Sequence, residues 1–407
     1  MDNGAVIGAR LRQVREAAGL SLSALAARIP FSKTALQYYE TGERDATPDV
    51  ISCYERVCGP FADPVTTVET LGRADVDRRS FLRKATYSAA LSATGLVALS
   101  DVARLIRVTD SRQVGMPEIV AVQSVTDAFI KLDEARGGAV GRTAVAEFLA
   151  TDVSAMLRAR FPDDKTRTHA YSAAAELAYL AGFKAHDAGD DGVAQRYFLG
   201  ALRLAEESKM PGQDGFVFRI LALQGTDIRQ QKFSVDLAEE SERRATGRVG
   251  PDAQALFTVA VARCHAESGN KPQAIAALRR AEPYINADMT SEQPRWISLW
   301  CPNKATVVDQ TAKTLLAAGE LPAAEQHYGL GTSIWSPETH ARVYALTAAE
   351  TGLIRWRMGD HTGAVSMWKP AVPILSAVNS ARTTKVLTKI RKAAPQAFSP
   401  AGELLSA

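Results

Sequence analysis

Four glycines in the second half of the chain carry the same set of neighbours. Gly189, Gly269, Gly319 and Gly359 are each followed by an acidic or amide residue: Asp190, Asn270, Glu320 and Asp360. Seven residues before each glycine stands a small residue (Gly182, Ala262, Ala312, Gly352), and five after it an alanine (Ala194, Ala274, Ala324, Ala364). Four positions further on comes a bulky side chain (Phe198, Leu278, Tyr328, Trp368), and three beyond that another small one (Ala201, Ala281, Gly331, Ala371). A unit repeated this way constrains the fold more than any composition does. Small residues let two antiparallel helices approach, the bulky residue fills the gap, and the glycine turns the corner. The glycines are 80, 50 and 40 residues apart, so the widest gap leaves room for one degenerate unit near residues 216–245. Helices within residues 117–160 are expected to start the stack.

The remaining composition agrees with helices. Hydrophobic residues make up 46% and charged residues 23% of the 407, which excludes wholesale disorder. Alanine is abundant and β-branched runs are scarce. The expected fold is all-α, in four parts: a bundle of short helices over 1–62, a basic connector helix over 63–115, a helical-repeat body over 116–395 and a tail over 396–407. Cys53, Cys58, Cys264 and Cys301 form no CxxC pair, so neither structural zinc nor a disulfide scaffold is expected, and a reducing cytoplasm fits. No apolar run reaches bilayer length, and no membrane partner is expected.

The first sixty residues read as short helices with clear punctuation. Residues 6–18 carry apolar side chains at helical spacing and stop at Gly19. Ser21 caps a helix over 22–29 that Pro30 breaks, and Ser32 caps a third over 33–41 that Gly42 ends. Thr47-Pro48 starts a fourth over 49–58. Two helices joined by a tight turn make a helix-turn-helix unit, whose second helix enters the DNA major groove. In the 33–41 helix, Leu36 and Tyr39 are spaced to face the core, and Lys33, Thr34, Gln37 and Tyr38 point outward. Lysine can donate to guanine acceptors, and glutamine can pair with adenine. Ser21, Ser23, Ser32 and Arg44 flank the helix and can hold phosphates.

The stretch IGARLRQVREAAGLSLSALAARIPFSKTALQYYETGER resembles the XRE-type (phage repressor-like) helix-turn-helix domain. The matching residues are Leu11, Arg15, Gly19, Ser21, Leu25, Ala26, Ser32, Leu36, Glu40 and Gly42. The resemblance implies a buried structural pair between Arg15 and Glu40. Tyr38-Tyr39 and Pro30-Phe31 depart from the usual pattern and bear on the operator sequence, not on the fold.

The later repeat resembles the tetratricopeptide (TPR) repeat. That resemblance implies a solenoid whose concave face is built from the first helix of each pair. On that geometry Tyr179, Phe183 and His186 face inward in the first clear unit. Arg263 and Glu267 follow, then Asp309 and Lys313, then Trp356 and Arg357. Mixed aromatic and charged side chains suit a peptide, small-molecule or protein ligand. The alternative is that the aromatics are core between repeats and the charges a solvated face. Trp296 and Trp300 read as core filling rather than a ligand cage. Head and body together resemble actinobacterial XRE-family regulators with TPR-like C-termini, with LAYLAGFKAHDAGDDGVAQRYFLGALRLA (177–205) close to their signature. The layout is also similar to that of peptide-sensing quorum regulators of other Gram-positive bacteria.

Charge complicates the DNA reading. The chain nets only +3, and residues 1–60 balance seven positive against seven negative groups. Residues 72–115 hold eight positive and four negative groups, an excess that can attract phosphates. Within them, Asp77–Lys84 is close to the twin-arginine export pattern through Arg78-Arg79. Export would carry the DNA-binding domain away from the chromosome, so a basic connector helix is the preferred reading. The six histidines fall in no HExxH or Ser-His-Asp pattern, and no phosphate-binding glycine loop is present. No enzymatic activity, metal or cofactor is expected. The sequence thus points to a cytoplasmic transcription regulator, a homodimer on a pseudo-palindromic double-stranded DNA operator. The rivals are a TPR-like interaction scaffold whose helix-turn-helix docks on protein, and a twin-arginine exported or membrane-held protein.

Overall fold

A computed structural model describes residues 8, 11–16, 18–44, 46, 48–58, 65, 67–69, 71–73, 75, 114–286, 294–299, 303–338 and 340–397. Arg78, Arg79, Trp300, Cys301 and most of the expected connector lie outside the described residues. The described residues are helical, with no strand among them, and fall into two units, 1–67 and 68–407.

The first unit contains α1 (residues 11–16), α2 (Leu22–Ala26), α3 (Lys33–Thr41) and α4 (Pro48–Cys58). Its caps are those the serines dictate. Ser21 Oγ accepts the Ala24 N–H at 3.1 Å, and Ser32 Oγ accepts the Ala35 N–H at 3.2 Å. Gly42 closes α3 in the left-handed region, at φ 79°. The second helix ends at Ala26 instead of Ile29, because Pro30 drives the residue before it out of helical backbone. Leu11, Leu25, Leu36, Val50 and Tyr54 are fully buried and form the core.

The second unit opens with α5 (Met116–Arg136). Next come α6 (Arg142–Phe148), a π-helical turn (Leu149–Val153) and α7 (Ser154–Arg158). Five helix pairs follow: α8/α9 (Asp164–Asp187, Asp191–Ser208), α10/α11 (Gln213–Asp227, Gln231–Ala245), α12/α13 (Pro251–Glu267, Lys271–Ile285), α14/α15 (Asn303–Ala317, Leu321–Ile334) and α16/α17 (Ala341–Arg357, His361–Ala377). A last helix, α18, covers Ala381–Ala393.

Each pair turns the same corner. The glycines at 189, 269, 319 and 359 have φ between 82° and 90°, and their N–H groups bond back to the first helix. The degenerate pair α10/α11 uses Arg229 instead, at φ 63°, whose N–H donates to the Thr226 carbonyl while the Gln230 N–H donates to that of Gly225. The small-to-bulky rule is visible as contact. A Cβ at Gly182 would lie 2.6 Å from the Phe198 ring, and one at Gly352 would lie 2.3 Å from Trp368 Nε1. That indole donates to the Ala349 carbonyl at 3.1 Å.

The two ends of the stack are tied. Arg342 of α16 donates to Asp133 at 2.5 Å, to Glu134 at 2.8 Å and to Asp187 at 3.2 Å. Lys184 donates to the other Asp133 oxygen at 3.0 Å, and the Asn379 N–H donates to the Arg136 carbonyl at 3.1 Å. Asp75 also packs within this unit. Asp75 takes two bonds from buried Arg142, at 3.1 and 2.9 Å, and one from Tyr197 at 3.3 Å. Among the described residues no helix is long and apolar enough to cross a membrane.

Candidate nucleic-acid interface

The outward row of α3 is set by what its inward row packs on. Leu36 is fully buried and Tyr39 is 4% exposed, its ring edge-on to Phe31 at 6.0 Å. Helical geometry then puts Lys33, Thr34, Gln37 and Tyr38 on the opposite side, and all four are exposed. Ser21, Ser23 and Ser32, before or capping α3, and Arg44, past its C-terminus, are also exposed. Both capping hydroxyls accept a backbone bond, which leaves each O–H free to donate. No acidic residue stands in the first turn of α3, so the positive end of its dipole is not neutralised there. The Arg44 guanidinium lies 5.4 Å from the Tyr39 ring centre, which steadies the charge beside the helix's C-terminus.

Behind α3 is a buried ionic brace. Arg15 Nε and Nη2 donate to the two Glu40 oxygens, each at 2.7 Å, and Nη1 donates to the Leu20 carbonyl at 2.8 Å. The Tyr54 hydroxyl adds a third bond to Glu40, at 2.9 Å. The carboxylate is therefore shared by α1 and α4 while belonging to α3. The bond to Glu40 holds Arg15 more firmly protonated, and burial, helped by Glu40, pushes the Tyr54 phenol well up. Gly8 completes the contact, since a Cβ there would lie 2.4 Å from the Tyr39 carbonyl oxygen. Tyr54 and Gly8 were not singled out from sequence. Their signals are a buried aromatic nearly two turns into α4 and a glycine at a helix crossing.

Residues 6–59 match the model of a helix-turn-helix domain family. The comparison with curated proteins gives no match. The first unit is thus a helix-turn-helix domain, the class that DNA-binding transcription regulators use to contact DNA.

The inward-facing candidates of the second unit separate into groups. Tyr179 is 6% exposed and sits among Phe183, Phe198 and Phe216, at ring separations of 6.3, 6.0 and 5.6 Å. Half-buried Phe183 lies between the guanidiniums of Arg342 and Arg382, each 5.7 Å away. His186, Arg263, Asp309 and Lys313 join into one polar chain through two residues absent from the sequence-based set, Asp227 and Gln310. His186 meets Asp191 at 2.5 Å and Asp227 at 3.3 Å. Burial lowers its pKa, but the hydrogen bonds to the two aspartates outweigh that and hold it raised. Arg263 donates to Asp227 at 2.7 Å and to Gln310 at 3.0 Å, and Lys313 donates to Asp309 at 2.7 Å. Trp356 belongs to a separate stack, 4.1 Å from His361 and 5.5 Å from Trp368. Glu267 and Arg357 are exposed.

Proposed function

We propose that the chain is a sequence-specific, non-catalytic transcription regulator of the cytoplasm. α3 enters the major groove, with Lys33 and Gln37 reading bases and Thr34 and Tyr38 beside them. Ser21, Ser23, Ser32 and Arg44 hold phosphates. The protein acts as a homodimer on a pseudo-palindrome, with its two recognition helices about 34 Å apart. The TPR-like second unit dimerises and senses a peptide, small molecule or protein. The observation that carries this reading is an exposed Lys-Thr-Gln-Tyr row on a helix whose buried side is fixed by the Arg15–Glu40–Tyr54 brace.

Chromatin immunoprecipitation with sequencing supplies the operator, and gel shift then tests the helix. The Lys33→Ala/Gln37→Ala variant should lose specific binding by about tenfold or more while keeping its helicity. Wild-type affinity in that variant removes α3 from the interface. Neutralising Arg78, Arg79 and Arg83 should make the fall of affinity with salt shallower.

A second reading, an interaction scaffold whose helix-turn-helix docks on protein, is favoured by the zero net charge of residues 1–60. It is the better account if immunoprecipitated DNA contains no enriched motif.

A further inference from the structure

The connection between α13 and α14 folds back onto the helix pairs. Its described part, residues 294–299, contains one 3-10 turn, Arg295–Ile297. Arg295 reaches residues 119 to 172 positions earlier: Nε donates to Glu176 at 2.9 Å, Nη1 to Asp127 at 3.1 Å, and Nη2 to the Gln123 carbonyl at 3.3 Å. Trp296 is 2% exposed, with its ring centre 5.3 Å from Phe216 and 6.5 Å from Phe257. One short segment thus touches α5 and the first helix of three successive pairs, α8, α10 and α12. A charged tip in an acidic pair and an aromatic ring in an apolar pocket are how a peptide binds a helical groove.

Two observations set this apart from ordinary core filling. Glu176 is 3% exposed, and the ion pair it makes among the described residues is with Arg295. Burial pushes its carboxyl up to about 7 against the pull of Arg295, so Arg295 is the cation that favours its charged form. The Trp296 indole N–H is buried with no acceptor among the described residues, beside a small cavity lined by Glu176, Gln213 and Leu299. Native interiors leave few donors so, the buried Trp335 indole being a second case among the described residues.

We propose that the face formed by Asp127, Glu176, Tyr179, Phe216 and Phe257 is a binding site for peptides carrying arginine followed by an aromatic residue. The protein's own Arg295-Trp296 fills it in cis, and a partner peptide binds by displacing that pair. The inference rests on reading the second unit as a sensor, but its test uses no DNA, so failure of the DNA reading leaves the test intact. An attached segment competes at an effective concentration of about millimolar, which masks the site from dilute free peptide.

The probe is a fluorescein-labelled synthetic peptide with the sequence of residues 293–299, Gln-Pro-Arg-Trp-Ile-Ser-Leu. Fluorescence anisotropy compares the full-length wild type with an Arg295→Ala/Trp296→Ala variant. The emptied variant should bind the peptide at least tenfold more tightly than wild type. Adding Glu176→Gln should weaken that binding tenfold, and a peptide with both residues replaced by alanine should not bind. Equal affinity for wild type and emptied variant, or equal binding of the alanine peptide, overturns the proposal. Hydrogen exchange on the wild type decides the matter if the variant does not fold. Excess free peptide should speed exchange in residues 294–299, and unchanged exchange there also overturns the proposal.

Discussion

Arg342 and Asp133 stand 209 residues apart in sequence and are joined by a hydrogen bond of 2.5 Å, both side chains being almost fully buried. The bond lies within a cluster in which Arg342 also meets Glu134 and Asp187, while Lys184 takes the second oxygen of Asp133. Burying so many charges costs desolvation that the pairing must offset, with Arg342 Nε and Glu134 Oε2 left buried without a partner among the described residues.

Removing the central cation should therefore expose that cost. Arg342→Met takes the shared cation from Asp133, Glu134 and Asp187, leaving Lys184 on Asp133 and the Gly138 N–H and Ser380 hydroxyl on Asp187, and the expected loss is about 3–5 kcal/mol of stability in urea unfolding of the full chain. A loss within about 0.5 kcal/mol, the size of an ordinary surface change, would show that the cluster does not hold the stack ends together.

The brace behind α3 makes a parallel claim about the first unit. Glu40→Ala strands Arg15 in the core and leaves the Tyr54 hydroxyl without its acceptor. The expected destabilisation is about 3 kcal/mol or more, with amide exchange rising across residues 33–41 and staying unchanged across 164–187. Unaltered protection of α3 would mean that the apolar core alone positions it.

Arg229 offers a stabilising change. A residue with a Cβ in left-handed backbone costs about 1–2 kcal/mol, and glycine gives back about 0.5–1 through the unfolded chain. Arg229→Gly should thus stabilise the protein by about 0.5–1 kcal/mol, seen as a higher urea midpoint. The reverse change at an equivalent corner, Gly269→Ala at φ 82°, should destabilise by about 1 kcal/mol although nothing crowds the new methyl. Movement of both midpoints in the same direction would refute the corner argument.

Glu176 gives the stability a pH dependence of definite sign. Its carboxyl titrates near 4.5 when unfolded and near 7 in the native protein. Between these values the native state keeps a proton that the unfolded chain has released. The contribution is fully present below about pH 4.5 and is lost as the pH rises through about 7. Wild-type melting temperature should fall across this window more steeply than that of Glu176→Gln. Parallel slopes would place the titration elsewhere.

Features set by nearby residues were legible in the sequence. Ser32 and Gly42 bound α3 correctly because a hydroxyl cap and a left-handed glycine act within one helical turn. The corner glycines were legible for the same reason, and the corner that glycine does not mark, at Arg229, showed only as an unusually wide gap. The outward row of α3 followed from helical period alone. What sequence could not supply were contacts made by tertiary closure. Nothing local to Asp133 or Arg342 indicates the other, nor does Arg295 announce Glu176 or Asp127. The polar chain through His186 and Arg263 needed Asp227 and Gln310, which carry no motif. Tyr179 illustrates the same limit. Its helical position suggested a groove, while its burial depends on Phe216, a residue of the next pair.

Tied ends also bear on how such a chain can change over evolutionary time. Open repeat stacks gain or shed units by duplication and deletion, since each unit touches only its neighbours and the last one is free to move along. Here Arg136 meets Asn379 and Asp133 meets Arg342, so inserting or removing one helix pair would pull those partners out of register. A change in the number of pairs therefore carries a cost that substitutions and loop changes do not.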